Sequence, residues 1–290
     1  MSLSKRYEFV ILFDVENGNP NGDPDSGNMP RIDPETGHGI VTDVCIKRKI
    51  RNYIEVVEGE RQGFDIYVKN GAVLNEQHRK AYEAFELKSE NKKLPKDEKL
   101  AKELTGYMCK NFYDIRSFGA VMNTEINCGQ VRGPIQLNFG RSIDPIFSQD
   151  LTITRCAATS DKQFKEKGAY TMGRKQIVPY GLYRMEGYVS AHLAEKVTGF
   201  SEEDLNILWE AIINMFEYDR SASHGKMATR KLYVFEHETA LGNAPSHKLF
   251  DLIKIEKKDK SRPSRNFNDY EIVIDEVPKG VNLTELIDGI

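Results

Sequence analysis

Four cations fall within five residues, Lys47, Arg48, Lys49 and Arg51, with only Glu55 nearby to offset them. A cluster of this kind can neutralise phosphates, or it can be the solvated outer face of a helix. The preceding stretch, 16–41, holds four of the chain's eleven prolines and five of its 22 glycines, among many Asn and Asp. Open amides in such a loop can bind phosphate oxygens. Its run Asn17, Asn19, Asn21, Gly22 looks like the start of a calcium loop, but position one lacks Asp and position twelve is Asn28 where a bidentate Glu is required. The calcium reading fails on both counts.

Three further segments offer polar chemistry. In 127–133, NCGQVRG, glycines 129 and 133 allow a close backbone approach and Arg132 offers a fork to a phosphate; the alternative is a β-bulge with a surface arginine. Just upstream, Arg116-Ser-Phe-Gly-Ala-Val-Met122 mixes a cation with residues that can equally be core. Between 141 and 178, seven cations (Arg141, Arg155, Lys162, Lys165, Lys167, Arg174, Lys175) face four acids, a surplus of +3. The run DRSASHGKMATRK adds Arg220, Lys226, Arg230 and Lys231, with an Asp219–Arg220 structural pair as the alternative.

Motifs of catalysis are missing. There is no GxGxxG, GxxxxGK[ST], HExxH or GxSxG, and the six histidines are scattered with no i,i+4 pair. The expectation is no catalytic residue, no metal and no cofactor. The four cysteines are 64, 19 and 28 residues apart with no CxxC, which suits a reducing compartment. The longest plain apolar run, 9–13, is far short of the ~20 residues of a membrane span. The start, MSLSKRYEF, carries no secretory signal. A cytoplasmic protein with no membrane partner is expected.

The elements that must position these residues are legible in outline. A strand is expected at 7–15, then the loop 16–41 and a helix at about 44–57 capped by Thr42 or Asp43, with Ile46, Ile50, Ile54 and Val57 as its buried stripe. A short strand at 64–68 and helices at 75–88 and 96–110 follow, with 87–100 a solvated excursion. Segments 131–139 and 180–191 read as paired strands, and the 40 residues between them must project as a lobe. Ser201 caps a helix over 201–217, a strand covers 231–237, and the tail has strands at 251–256 and 270–274 around KKDKSRPSRN, then a short final helix. The order strand, helix, strand, strand, helix, strand predicts an α+β fold, a ferredoxin-like βαββαβ unit. In this reading 1–290 is one elaborated domain carrying insertions at 58–130 and 140–179.

At 39% hydrophobic and 29% charged the chain is that of an ordinary globular protein. The formal net charge of −3 argues against indiscriminate coating of nucleic acid. It hides a surplus of +3 on the first helix and +3 on the lobe.

The segments FDVENGNPNGDPDSGNMPRIDPETGHGIVTDVCIKRKIRNYI, DIRSFGAVM, GQVRGPIQL, GRSIDPI, VPYGLY and LWEAIINMFEYDRSA together resemble the backbone subunits of type I CRISPR surveillance (Cascade) complexes. Among these RAMP-superfamily proteins the subtype I-C, Csd2-type members are most similar, over residues 7 to 237. The resemblance implies an RNA-recognition-motif-like palm, with 58–130 as fingers and 140–179 as a thumb. It implies a non-catalytic filament: copies stack head to tail along the spacer of a CRISPR RNA (crRNA), holding it for pairing with target DNA in antiviral defence. The implied partners are crRNA, the target DNA strand through that crRNA, further copies of the chain, and the large and crRNA-processing subunits. RNA contacts are implied for Asn17, Asn19 and Arg31 in the loop, and for Lys47, Arg48, Lys49 and Arg51 on the helix. They are implied also for Arg116, Met122, Gln130 and Arg132, and for Arg141, Thr154 and Arg155 at the thumb. The alternative is a RAMP-type endoribonuclease processing precursor crRNA, with His38 or His224 as its base; a scaffold without RNA affinity is the third option.

Overall fold

Strand β1 (Tyr7–Gly18) is buried on both faces, so two layers must cover it. Phe9, Ile11, Phe13 and Val15 point into one hydrophobic cluster and Val10 and Leu12 into another. Successive strand residues alternate between faces, so this single apolar run serves both cores. The computed structural model describes residues 3–168 and 170–287, without the Lys167 side chain.

After β1 the loop closes with a short edge strand, β2 (His38–Val41), and enters helix α1 (Asp43–Val57). The Thr42 side chain accepts from the Cys45 amide at 3.3 Å, a cap worth about 1 kcal/mol. Helices α2 (Leu74–Ala84), α3 (Glu98–Asn111) and α4 (Tyr113–Phe118) lead to a two-stranded ribbon, β3 (Gly119–Asn123) and β4 (Asn127–Arg132). Strands β5 (Ile135–Leu137) and β6 (Gly140–Pro145) return the chain to the main sheet. A lobe follows: β7 (Gln149–Arg155), helix α5 (Asp161–Lys167) and the first half of β8 (Thr171–Val189). Helix α6 (Glu202–Tyr218), β9 (Lys226–His237), β10 (Ile253–Lys257), β11 (Tyr270–Ile274) and β12 (Val281–Glu285) complete the chain.

The result is a mixed α/β fold around a central antiparallel sheet, with strand order β12-β9-β1-β8-β6-β2. Both β5 and β7 also pair with β8. Helices α1 and α6 cover one sheet face through Ile46, Ile50, Ile54, Leu205, Leu208, Trp209, Ile212 and Phe216. The other face is covered by the tail: Leu249, Phe250, Ile253 and Tyr270 lie over Val10, Leu12, Tyr180, Leu182, Tyr233 and Phe235. A third cluster, with Tyr82, Leu104, Met108, Met122 and Cys128, holds α2, α3 and the ribbon together.

Several expectations change. Segment 64–68 is not a strand; it makes one bridge, Asp65 to Phe112, and its Tyr67 and Val68 amides donate to the Asp114 carboxylate instead. Segment 131–139 is broken at 133–134, where the chain passes from ribbon to sheet; Gly133 lies so close to the Phe118 backbone that a Cβ there would be 2.2 Å from it. Residues 38–41, read as the end of a loop, form the sheet's edge strand, and 140–145 belong to the sheet rather than the lobe. Val57 is 44% exposed and leaves the buried stripe at Ile54. The expected final helix is replaced by strand β12, paired with β9; its last residues, 288–290, lie outside the described residues.

Candidate nucleic-acid interface

The glycine-rich loop is held by its own asparagines. Asn21 Oδ1 accepts from the Thr42 amide at 3.0 Å and from its hydroxyl at 3.1 Å, which pins the loop to the start of α1. The Asn19 amide donates to Ser223 O at 2.8 Å, joining the loop to the turn between α6 and β9. That crossing needs glycine on both sides: a Cβ on Gly18 would lie 1.9 Å from His224 O, and one on Gly225 (φ +62) would lie 2.5 Å from Asn17 O.

Two open clefts flank this seam. One, of about 670 Å³, lies between the loop (Pro20, Gly22, Arg31), the start of α1 (Cys45, Arg48, Lys49) and Asp219 and His224, with the exposed Phe139 at its edge. The other, of about 510 Å³, lies between Asn19, Asn28, Ser223 and the lobe root at Ile153, Arg174 and Gln176. Two buried polar atoms beside them, Asn19 Oδ1 and Arg31 Nε, find no protein partner.

The four cations of α1 separate by environment. Arg48 is exposed and has no carboxylate partner among the described residues. Lys47 pairs with Asp43 at 2.9 Å and lies 5.5 Å from the Phe118 ring; Arg51 pairs with Asp114 at 2.8 Å and lies 5.4 Å from that ring. Lys49 is buried, its ammonium bonded to the Asp219 carboxylate. Burial opposes ionisation of Asp219, but bonds from His224 (3.2 Å) and Lys49 overrule it and hold the carboxyl below the usual range. The expected Asp219–Arg220 pair does not form, because Arg220 turns to Glu217.

The remaining candidates divide in the same way. Arg132 and Gln130 are exposed on β4, and Arg132 pairs with Gly119, the residue after Phe118. Asn17 is exposed at the loop's start with φ +51. Arg31 is half-buried, 3.5 Å from Asp23. Arg141 is exposed and pairs with Asp33 at 3.1 Å. Thr154 and Arg155 are exposed on the lobe, where Arg155 Nε donates to Ala157 O at 2.8 Å.

Four candidates prove to be interior. Asn19 is 4% exposed and its Nδ2 donates to Asn28 O at 2.7 Å, but its unpartnered Oδ1 keeps it a candidate at the second cleft. Lys49 is another. Arg116 is 6% exposed, with bonds to Asp204 at 2.7 and 3.0 Å and to the carbonyls of Gly63 and Cys109. Met122 is fully buried in the cluster of α2 and α3. Direct RNA contact is withdrawn for Lys49, Arg116 and Met122, since a side chain buried in an ion pair or in the core cannot be moved to a ligand without breaking its own contacts. Sequence reasoning gave Asp219 the wrong partner and missed Asp114, the two carboxylates that anchor Lys49 and Arg51, and it missed Gln176 and Ser223, which line the second cleft.

His224 and His38, the proposed bases, are both turned into the fold on one side. His224 Nδ1 faces Asp219, and His38 Nδ1 lies 2.7 Å from Ser142 O. No cluster of three or more metal-ligating side chains exists among the described residues.

The model of the family described as CRISPR-associated protein Cas7 matches residues 5–275. The chain belongs to the Cas7 family. A curated relative, CRISPR-associated protein Cas7 of Haloferax volcanii, is 26% identical over 303 residues, covering 96% of this chain and 83% of that protein. Among solved structures, this Cas7-family chain is similar to a chain of a CRISPR RNA-guided surveillance complex, pre-nicking, with TM-score 0.49 and 12% identity over 79% of this chain and 78% of that one. It is similar also to a chain of a CRISPR RNA-guided surveillance complex, with TM-score 0.45 and 13% identity over 78% and 68%.

Proposed function

We propose that this Cas7-family chain is a non-catalytic backbone subunit of subtype I-C type. Copies assemble head to tail along the spacer of a crRNA, hold it for pairing with target DNA, and contact the large and crRNA-processing subunits in the cytoplasm. Family membership supports the reading. The observation that carries it is the pair of open clefts on either side of the Asn19–Ser223 seam, with Arg48 left unpaired at one mouth. A single strand needs a groove with free cations and polar groups for its backbone, and the base pairing reads the sequence.

The strand order β9-β1-β8-β6, with α1 and α6 on one face, supports a ferredoxin-like palm, with 58–130 as fingers and, of the expected 140–179, only 146–179 as thumb because 140–145 pair within the sheet. An ordinary RNA-recognition motif stacks bases on the aromatic residues of its open sheet face. Here Tyr180, Tyr233 and Phe235 lie under the tail, so the strand is assigned to the helix side. Arg48, Arg31, Asn17, Asn19, Gln130, Arg132 and the rim cations Lys47 and Arg51 are the proposed palm contacts, with Arg141 on the sheet strand β6 below the lobe and Thr154 and Arg155 on the thumb. Head-to-tail contacts that do not close into a ring give a helical stack. The test is binding of unrelated single-stranded RNAs by the purified protein. Similar affinity across sequences, falling with salt, is expected; no affinity at low salt would refute the reading.

A further inference from the structure

The C-terminal turn carries a third cationic cluster that the RNA clefts do not use. Residues 257–269 contain Lys257, Lys258, Lys260, Arg262 and Arg265 against Asp259 and Asp269, a surplus of +3. Arg262 takes up both acids, at 3.3 Å from Asp259 and 3.8 Å from Asp269. Lys257, Lys258, Lys260 and Arg265 have no carboxylate within ion-pair distance among the described residues. All but the half-buried Lys257 are exposed.

The turn is built, not frayed. The Asp259 carboxylate accepts from the Ser261 amide at 2.9 Å, and Asn266 and Asp269 form a reciprocal cap. Tyr270 and Ser264 hydroxyls donate to Asp144 at 2.7 and 3.3 Å, tying the turn to the end of β6 where the lobe begins. A recess of about 80 Å³ opens among Lys257, Lys258, Arg262, Ser264 and Asn268. Its neighbour, about 260 Å³, is walled by Arg265, Lys257 and the lobe root at Phe147 and Gln149.

Position gives the cluster its meaning. The tail covers the sheet face opposite α1 and α6, so these cations sit across the lobe root from the proposed RNA clefts. Lysine, arginine, serine and asparagine on a rigid turn are the groups that contact phosphate oxygens without reading bases. The same groups would suit an acidic protein surface, but Pro263 is the only apolar residue lining the recess at the turn, and the exposed Phe147 stands apart from it at the lobe root.

We propose that the 257–265 turn is a second phosphodiester-backbone contact, taking duplex DNA while RNA occupies the helix-side clefts. This rests on the RNA-binding reading above. The test uses full-length protein saturated with single-stranded RNA and titrated with a labelled duplex DNA unrelated to that RNA. It compares the natural chain with the variant Lys257→Ala, Lys258→Ala, Lys260→Ala, Arg265→Ala, both checked for native melting. The natural complex should bind the duplex, and the variant should bind it at least tenfold more weakly. The variant's log–log salt slope should be lower by up to about 0.9 for each phosphate it no longer neutralises. RNA affinity should change less than twofold. If the RNA-saturated natural chain ignores the duplex, or the variant binds it equally, the inference falls. If RNA affinity drops in parallel, the turn belongs to the RNA path and the inference also falls. Failure of the natural chain to bind RNA would instead refute the functional reading. An acidic polypeptide competing as well as DNA would assign the turn to a protein partner.

Discussion

The Lys49 ammonium on α1 is bonded to the Asp219 carboxylate just past the end of α6, and this contact ties α1 to the segment after α6 in the wall of the larger cleft. Asn52 adds a second bond from α1 to the same carboxylate at 3.1 Å. A cation that looks like part of an RNA-binding row is thus a structural member of the site. It sets where Arg48, its exposed neighbour, stands.

Replacing Asp219 by Ala leaves the Lys49 charge buried without a partner, a loss expected to cost about 3–5 kcal/mol. Lys49→Met restores an apolar stem and should cost less. Urea titration of both variants checks this order; equal stability to the natural chain would contradict the pairing.

The pH dependence has a definite sign. Asp219 is held below the usual carboxylate range, with burial opposing and the His224 and Lys49 bonds prevailing. Its stabilising contribution is complete above the unfolded carboxylate value of about 3.9 and is lost as pH falls further, through the lower folded value. Asp219→Asn should flatten that part of the acid limb. Melting temperatures between pH 5 and pH 2.5 provide the comparison, and parallel curves would rule the contribution out.

Arg48→Ala should leave melting unchanged, because the side chain is exposed and unpaired. RNA affinity should fall, with the log–log salt slope reduced by about 0.7 for a single-strand phosphate contact. Neutralising Lys47 and Arg51 as well weakens binding further. It also removes the Arg51–Asp114 bond at 2.8 Å, so some stability is lost with it. An unchanged salt slope in Arg48→Ala would take this helix out of the RNA path.

Arg116→Ala gives the contrasting result. It strands Asp204, itself 5% exposed and part of the reciprocal cap of α6 with Ser201. A loss of about 3–5 kcal/mol is expected. A stable variant with reduced RNA affinity would reinstate Arg116 as a contact.

What the sequence disclosed and what it hid follow from the range of each interaction. The Thr42 cap, the Ile46–Ile50–Ile54 stripe and the Ser201 cap are local, so spacing alone locates them. The partners of Lys49 and Arg116 lie 170 and 88 residues away, and no local pattern separates a buried cation from a solvated one. Tyr67 and Val68 look like strand residues, but their amides are claimed by Asp114, 47 and 46 residues on. Strand β2 hides in a loop-like composition because only its partner β6 makes it a strand. The basic row was visible; its division into one free, two rim and one buried cation was not.

The non-catalytic reading predicts that precursor crRNA stays intact when incubated with the purified chain. Site-specific cleavage abolished by His224→Ala or His38→Ala would replace it with the endoribonuclease alternative.

The central claim is a backbone that assembles on RNA, and electron microscopy of the purified chain with and without single-stranded RNA tests it most directly. Helical stacks whose length grows with the RNA, and which are absent without it, are the expected result. Isolated particles of one copy per RNA, whatever the RNA length, would contradict it.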